Sequence, residues 1–164
     1  MTFLPMNTIR LDDVPWQESK SPTGKYHSFF QDISLALGGK RNVGPWEGGH
    51  PFDLQVRRVP PGAAVCPLHA HTAQWELFVV IAGEATVRVG DKRQVVRGGE
   101  AFIQPPGTAH QIINTGGEDF VFYVIADNLP VDSTYYPDSK KWAMKPQGKV
   151  FRMAETDYYD GEEI

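Results

Sequence analysis

The chain has 164 residues, of which 41% are hydrophobic and 22% charged, and its formal net charge is -4 at pH 7. These values are ordinary for a globular protein, and the length suits one domain better than two. No run of lysines or arginines supplies the basic patch that a nucleic-acid or anionic-membrane surface requires, so we exclude both partners. The single cysteine, Cys66, excludes an internal disulfide.

The N-terminal sequence, MTFLPMNTIRLDDVPW, has no basic segment followed by an apolar core, so it does not resemble a signal peptide. No window of the chain approaches the ~20 apolar residues that a membrane-spanning helix needs. We therefore expect a cytoplasmic protein.

The predicted elements are mostly short strands. Residues 1–25 are interrupted by prolines and predict an extended arm. A strand over 26–37 and a loop rich in Gly and Pro follow. From residue 52 onward, short apolar runs alternate with closely spaced turn signals, and no helical period of useful length is present. The predicted strands are 26–37, 52–59, 75–82, 84–89, 92–97, 101–104, 109–114 and 120–126.

This succession of strands predicts an all-β antiparallel sandwich or barrel. We expect three parts: an N-terminal arm over 1–25, a barrel domain over 26–127 and a C-terminal covering tail over 128–164. The strands over 75–82 and 120–126 are apolar on both faces, whereas a barrel interior covers only one face. Tails or a second subunit would cover the other face, and we predict a homodimer.

Four residues in the middle of the chain have the spacing of a metal site. His69 and His71 are two positions apart, so on a strand both imidazoles point to the same face. Glu76 joins that face only if the chain bends before it. His110 lies on a different strand, and two hairpins folded over each other would bring it opposite the other three. Three neutral imidazoles and a carboxylate suit a divalent transition metal such as Fe, Zn, Ni, Mn or Cu.

Each half of this pattern also has a simpler interpretation. A lone His-x-His is often a surface pair, and a lone histidine after a Pro-x-Gly sequence is often only part of a turn. The two halves occur here in order and on short strands, with Gly83 following Glu76. Their combination favours the metal site.

The stretch from Gly62 to Asn114 resembles the two sequence motifs of the cupin superfamily. Residues 62–83 correspond to the first motif, G-(x5)-H-x-H-(x3 or 4)-E-(x6)-G, with one extra residue after the first glycine. Residues 99–114 correspond at every spacing to the second motif, G-(x5)-P-x-G-(x2)-H-(x3)-N. The matching residues are His69, His71, Glu76 and Gly83 in the first motif and Gly99, Pro105, Gly107, His110 and Asn114 in the second.

The resemblance implies the cupin double-stranded β-helix, a jelly-roll barrel that here has extended N- and C-terminal arms. It makes His69, His71, Glu76 and His110 the metal ligands. The chain is also similar to small single-domain bacterial cupins, some of which are described as sugar-phosphate isomerases. What the resemblance implies is an enzyme that uses a divalent metal as a Lewis acid or a dioxygen-activating centre, and is either isomerase-like or dioxygenase-like.

The ligand would be a small polar or anionic metabolite. A non-catalytic barrel that binds a sugar or small acid stays open as the alternative. A metal-free epimerase-type cupin ranks last, because such proteins usually lack the full ligand set.

Two further residues are candidates for the substrate pocket. Arg58 shares a strand face with Leu54 and Val56, so it either reaches into the barrel to hold an anionic group or extends from the strand end to water. Phe78 shares its face with the glutamate ligand and either lines the pocket or belongs to the core.

The remaining reactive side chains have weaker signals. Cys66 precedes His69 by three residues and is either a reactive thiol near the metal or a small buried residue. His27 and His50 lie outside both motifs and are expected to be structural or exposed. The strand faces offer no further carboxylate or free histidine in the pocket, so the sequence predicts no catalytic residue.

Overall fold

The computed structural model describes residues 7–163. Its regular structure is almost entirely β, which confirms the predicted all-β class. Within that range the one α-helix is the four-residue Ile33–Ala36, or α1, and short 3-10 helices occur at Leu11–Asp13 and Pro45–Glu47. None of these helices has the length and hydropathy of a membrane-spanning segment.

The described part of the chain forms thirteen strands. They are β1 (Gln17–Lys20), β2 (His27–Asp32), β3 (Phe52–Val59), β4 (Ala70–His71), β5 (Glu76–Ala82), β6 (Glu84–Val89), β7 (Lys92–Arg97), β8 (Ala101–Gln104), β9 (His110–Ile113), β10 (Phe120–Asp127), β11 (Asp132–Tyr136), β12 (Lys141–Lys145) and β13 (Lys149–Phe151).

These strands make three antiparallel sheets. A six-stranded sheet has the order β1-β2-β3-β10-β5-β8, a three-stranded sheet has the order β7-β6-β9, and β13-β12-β11-β4 form the third. The hydrophobic core lies between the first two sheets, where burial of apolar surface drives their association. The central core residues are Val59, Phe78, Val80, Ala85, Val87, Val96, Ile112, Phe120, Phe122 and Val124.

Residues on the inner face of β3, β10 and β5 form rungs that cross the six-stranded sheet. Because neighbouring strands pair residue by residue, paired residues share a face of the sheet. Each rung holds one residue from each strand: Asp53–Ala126–Glu76, Gln55–Val124–Phe78 and Arg57–Phe122–Val80.

The outer face of the same sheet is covered near β2 and exposed near β5 and β8. Near β2, the Gln31 side-chain amide donates to the carbonyl oxygens of Leu11 and Val14, so the N-terminal segment packs on this side. Farther across the sheet, β5 and β8 leave apolar side chains exposed. These are Leu77, Val79, Ile81 and Ile103, which are between 37% and 54% exposed.

Two motif residues hold the turns in place. Gly83, between β5 and β6, has a φ of 80°, and a Cβ there would collide with the Asp119 carbonyl oxygen. Only glycine tolerates this combination without strain. Asn114 is fully buried, and its side-chain amide donates to the carbonyl oxygens of Val59 at 2.7 Å and Glu118 at 2.8 Å. Both residues therefore shape the barrel.

The predicted strand over 26–37 is too long. β2 ends at Asp32, whose carboxylate accepts a hydrogen bond from the Leu35 backbone N–H at 3.2 Å and caps α1. An aspartate at this position favours a helix start over continued extension. The apolar residues 33–37 resemble a strand in composition, which is why the sequence pattern extended the strand through them.

Candidate metal centre

The barrel brings together the side chains of the four predicted ligands. His71 belongs to β4, Glu76 begins β5 and His110 begins β9. His69 precedes β4, and its backbone pairs reciprocally with that of His110 through N–H···O contacts of 3.1 and 2.8 Å. This pairing sets the two histidines side by side although they are far apart in the sequence.

The ligand atoms of His69, Glu76 and His110 lie within 4.8 Å of one another, close enough to hold one metal ion. Nε2 of His110 is 2.9 Å from Oε2 of Glu76. Nε2 of His71 lies farther from the same oxygen, at 3.8 Å. Three of the predicted ligands therefore form a compact group, with His71 at its edge.

Neighbouring oxygen atoms fix the tautomer of each imidazole. Nδ1 of His69 lies 3.0 Å from the Pro67 carbonyl oxygen, and Nδ1 of His110 lies 3.1 Å from the Thr108 carbonyl oxygen. A carbonyl oxygen can only accept, so we assign the proton to Nδ1 in both rings. The Nε2 lone pairs are then free for a metal ion.

The third imidazole is held by a carboxylate from the C-terminal part of the chain. Nδ1 of His71 lies 2.6 Å from Oδ2 of Asp132, a buried residue of β11. Burial by itself would raise the pKa of Asp132, but the hydrogen bonds from His71 and Ala73 outweigh burial and hold that pKa well below its usual range. Sequence analysis missed Asp132 because it lies 61 positions from His71, with no spacing signal between them.

The protonation states suit a metal site. Burial, reinforced by the neighbouring His110, lowers the pKa of His69 to about 4, so this imidazole is neutral at pH 7. Burial alone would raise the pKa of Glu76, but the close contact with His110 and the neighbouring His71 hold it at about 2. Neutral imidazoles and an ionised carboxylate are the forms that bind metal.

One buried atom tests whether a metal fits these residues. Oε2 of Glu76 makes no hydrogen bond, although Nε2 of His110 is 2.9 Å away. With the His110 proton on Nδ1 alone, two lone pairs face each other at this distance, and a cation between them, either a metal ion or a second proton on His110, would relieve their repulsion. A metal ion would satisfy the buried oxygen, so the donor set and its geometry fit a bound ion.

A cavity of about 350 Å³ adjoins the cluster. Phe78 lines this cavity and also belongs to the core, where its ring stacks on Phe102 with centroids 4.7 Å apart. Phe78 therefore lies in the core and on the wall of this cavity, and its role in binding a substrate stays a prediction. The polar lining includes Asp53, Gln55 and Arg57, which come from the inner face of β3.

The structure corrects the prediction for Arg58. Its side chain is absent from the lining of the cavity and lies on the outer face of β3, with the guanidinium 4.8 Å from the ring of Phe29 and 5.2 Å from that of Trp16. Nε of Arg58 is 3.6 Å from Oδ2 of Asp119. The neighbouring Arg57 faces the cavity instead. The prediction took the apolar Leu54 and Val56 as the inner face, but the N-terminal segment covers part of the outer face as well.

Asp53 is a second residue that the sequence analysis missed. It lines the cavity and shares a rung with Ala126 and Glu76. Two strand spacings separate Asp53 from Glu76, or about 10 Å between Cα atoms. Burial raises the pKa of Asp53, while the charge of Arg41 opposes the shift. The alternation of side chains in β3 contained this signal, because Asp53 lies four positions before Arg57 and therefore on the same face of the strand.

Cys66 lies beside the ligand cluster, whereas the two histidines outside the motifs lie away from it. Sγ of Cys66 lies 3.5 Å from Nδ1 of His69. Burial raises the pKa of the Cys66 thiol to about 12, so it stays protonated and is a poor nucleophile. His27 pairs with Glu18 at 2.8 Å. His50 lies in the loop before β3, and neither of these histidines belongs to the ligand cluster.

Solved structures with the same fold include proteins named for sugar phosphates. A candidate sugar phosphate isomerase from Acidithiobacillus ferrooxidans has a TM-score of 0.74 and 19% identity, covering 89% of this chain and 90% of that chain. A sugar phosphate isomerase from a cupin superfamily, from Silicibacter pomeroyi, has a TM-score of 0.73 and 21% identity, covering 88% and 92%. At these identities the likeness concerns the fold alone.

Residues 55–126 match the family model of the cupin domain. This segment is therefore similar to a cupin domain, and the shared fold confirms the predicted double-stranded β-helix. The Oxalate-binding protein of Thermotoga maritima is 29% identical over 68 residues, which cover 42% of this chain and 55% of the relative. The matched segment thus spans about half the length of that curated relative.

Proposed function

We propose that the protein is an enzyme that acts on a small anionic metabolite at a divalent transition metal held by His69, His71, Glu76 and His110. The observation that carries this proposal is the unsatisfied Oε2 of Glu76, 2.9 Å from Nε2 of His110. A metal ion between these two acceptors would satisfy both, and imidazole and carboxylate donors suit Fe, Zn, Ni or Mn.

The chemistry divides between the ion and the chain. A bound ion would supply Lewis acidity or, in the case of iron, a centre for dioxygen chemistry. Asp53 is the cavity carboxylate available to hold or release a proton, since burial raises its pKa above the ordinary value. Phe78 gives the cavity an apolar wall and is backed by Phe102, on which its ring stacks.

The cavity also supports an anionic ligand. Three cationic side chains, Arg41, Arg57 and Lys145, contribute to its lining. The names of similar proteins agree with this charge, because sugar phosphates and oxalate are both anions. A sugar phosphate for an isomerase-like reaction and a small acid for a dioxygenase-like reaction are therefore the first candidates.

A non-catalytic binding module is the alternative, and the name of the Thermotoga relative favours it. Asp53 favours catalysis, because it places in the cavity a carboxyl group whose pKa is raised by burial, as is common for groups that transfer protons. Turnover that depends on Asp53 would support the enzyme, whereas tight binding without turnover would support the module.

The first experiment is elemental analysis of protein purified without added metal. We expect near-stoichiometric metal in the wild type and little in His110→Ala. The control is His27→Ala, because His27 pairs with Glu18 away from the cluster and should leave the metal content unchanged. No metal in the wild type, even after reconstitution, would contradict the proposed function. Iron would direct the substrate screen to small acids with an oxygen electrode, and zinc, nickel or manganese to sugar phosphates.

We also propose that the protein is a homodimer, with the exposed outer face of β5 and β8 in the interface. Leu77, Val79, Ile81 and Ile103 form this apolar patch, and association would remove it from water. The cytoplasmic location stays a prediction from the sequence.

A further inference from the structure

Arg57 is a cation inside the cavity without an anionic partner. It lies on the inner face of β3, in the rung with Phe122 and Val80. Removal from water lowers the pKa of its guanidinium below the ordinary value of 12.5. The surroundings therefore disfavour the charge that this side chain brings into the cavity wall.

The hydrogen bonds of Arg57 go to neutral groups. Its Nε donates to Oε1 of Gln55 at 3.0 Å, and its Nη1 lies 3.4 Å from the hydroxyl of Ser28. The guanidinium lies 5.2 Å from the ring of Phe30. No carboxylate oxygen of residues 7–163 lies within ion-pair distance of Arg57, and its Nη2 keeps two donors for another group.

The other cations of the cavity have counter-charges. Arg41 forms an ion pair with the buried carboxylate of Asp32. The charges of Arg41 and Lys145 both act on the carboxyl group of Asp53 and favour its ionised form. Within residues 7–163, Arg57 is thus the arginine of the cavity that forms no ion pair, and the carboxylate whose charge acts on it is Glu76, a proposed metal ligand.

A charge count for the loaded site follows from these pairs. Asp32 balances Arg41, and Asp53 balances Lys145. Glu76 carries one negative charge against the two positive charges of a divalent ion. One positive charge then remains at the metal and one at Arg57. A small ligand with two negative charges would neutralise both.

We propose that Arg57 binds one anionic group of a dianionic ligand whose other anionic group lies at the metal centre. The planar guanidinium suits the oxygen pairs of a carboxylate or a phosphate. The ligand class is therefore a dicarboxylate or a phosphate monoester small enough for about 350 Å³. This inference rests on the proposed function, because the second charge requires a bound metal.

Isothermal titration calorimetry with manganese-loaded protein tests the ligand class. Malonate represents the dicarboxylates, glycerol 3-phosphate the phosphate monoesters and acetate the monoanions. We expect at least one of the two dianions to bind more tightly than acetate, by a factor of about 10 or more. Equal affinity for all three probes in the wild type would overturn the inference without any variant.

The same titrations with Arg57→Gln and Arg57→Lys test the residue. We expect Arg57→Gln to weaken binding of the preferred dianion about 10- to 100-fold and to leave acetate binding nearly unchanged. Arg57→Lys keeps the charge and should recover part of the loss. The matched control is Arg58→Gln, since Arg58 is next in the chain but lies on the outer face of β3.

Dianion affinity in Arg57→Gln equal to that of the wild type would overturn the inference and leave the proposed function intact. Failure of the wild type to load manganese, iron, zinc or nickel, by contrast, would contradict the proposed function itself. Should Arg57→Gln not fold, the comparison of malonate and glycerol 3-phosphate with acetate in the wild type still decides the ligand class, and Arg57→Lys decides the residue.

Discussion

The carboxylate of Asp132 connects β11 to the ligand cluster, because its Oδ2 lies 2.6 Å from Nδ1 of His71. Its other oxygen, Oδ1, accepts from the Thr72 hydroxyl at 3.0 Å and from the Ala73 backbone N–H at 2.9 Å. One side chain therefore fixes the tautomer of His71 and the bend that precedes Glu76. Carboxylates in this position orient metal-binding histidines and increase their basicity.

We predict that Asp132→Asn weakens metal binding about 10- to 100-fold. Asparagine keeps one oxygen for Thr72 and Ala73, but its NH2 group cannot accept the proton of His71 Nδ1. Competition with a chromophoric chelator measures the metal affinity. Asp138→Asn is the control, since Asp138 is exposed and pairs with Arg88. Wild-type affinity in Asp132→Asn would show that His71 does not depend on this contact.

Metal removal should lower the thermal stability of the wild type. A ligand that binds only the folded state stabilises it by about 2.7 kcal/mol at a concentration 100 times Kd. For a chain of this length, that free energy corresponds to a change in Tm of roughly 5–11 °C. Calorimetry with and without a chelator measures the change. His110→Ala should show no chelator effect, and a full effect in that variant would place the metal elsewhere.

Asp53→Asn should abolish most of the turnover while keeping the metal. Loss of a general acid or base lowers rates about 10²- to 10⁴-fold. The measurement is kcat together with metal content, once a substrate is in hand. Asp91→Asn provides the control, because Asp91 is an exposed residue between β6 and β7. Wild-type turnover in Asp53→Asn would remove Asp53 from the mechanism.

The same variant should be more stable than the wild type at neutral pH. Burial raises the folded-state pKa of Asp53 above the ordinary 3.8, so the folded state favours the protonated carboxyl group. The stability that Asp53 contributes is complete below the unfolded-state pKa and declines as pH rises through the folded-state pKa.

Urea denaturation at about pH 7 and about pH 3 tests this sign. Asp53→Asn should raise the free energy of unfolding at the higher pH and leave it nearly unchanged at the lower pH, where the aspartate is protonated in both states. A gain of equal size at both values would assign the effect to something other than ionisation.

A charge in the exposed patch should separate the two subunits. Val79→Lys places an ammonium group among apolar residues that the proposed interface would bury, and burying an unpaired charge is costly. Light scattering after size-exclusion chromatography should give a dimer for the wild type and a mass near 18.3 kDa for the variant. Val95→Lys, on β7 and similarly exposed at 38%, is the matched control. A wild-type monomer would contradict the homodimer.

Much of the ligand cluster could be predicted because its signals are local. His69 and His71 share a face through strand alternation, and the spacing around His110 places it after a turn. These features depend on a few consecutive residues. The short strands are likewise visible in the alternation of apolar runs and turns, and they gave the all-β class.

The contributions of Asp132 and Arg57 depend on the folded chain. Asp132 reaches His71 through the pairing of β11 with β4, which no local spacing encodes. In β3, both strand faces carry partly buried residues, so alternation separates Arg57 from Arg58 without showing which of them faces inward. The answer comes from the N-terminal segment, whose packing on the outer face is a tertiary contact.

The rung that joins Asp53, Ala126 and Glu76 restricts how the site can evolve. Its spacing is set by two rows of backbone hydrogen bonds, so side-chain substitutions cannot bring the two carboxylates closer at the level of the backbone. A shift of β10 by one residue would turn every core side chain of that strand outward. New specificities in this barrel must therefore arise by substitution of side chains on a fixed backbone. Ala126 is the smallest side chain of this rung, so its position can accept the largest increase in side-chain volume.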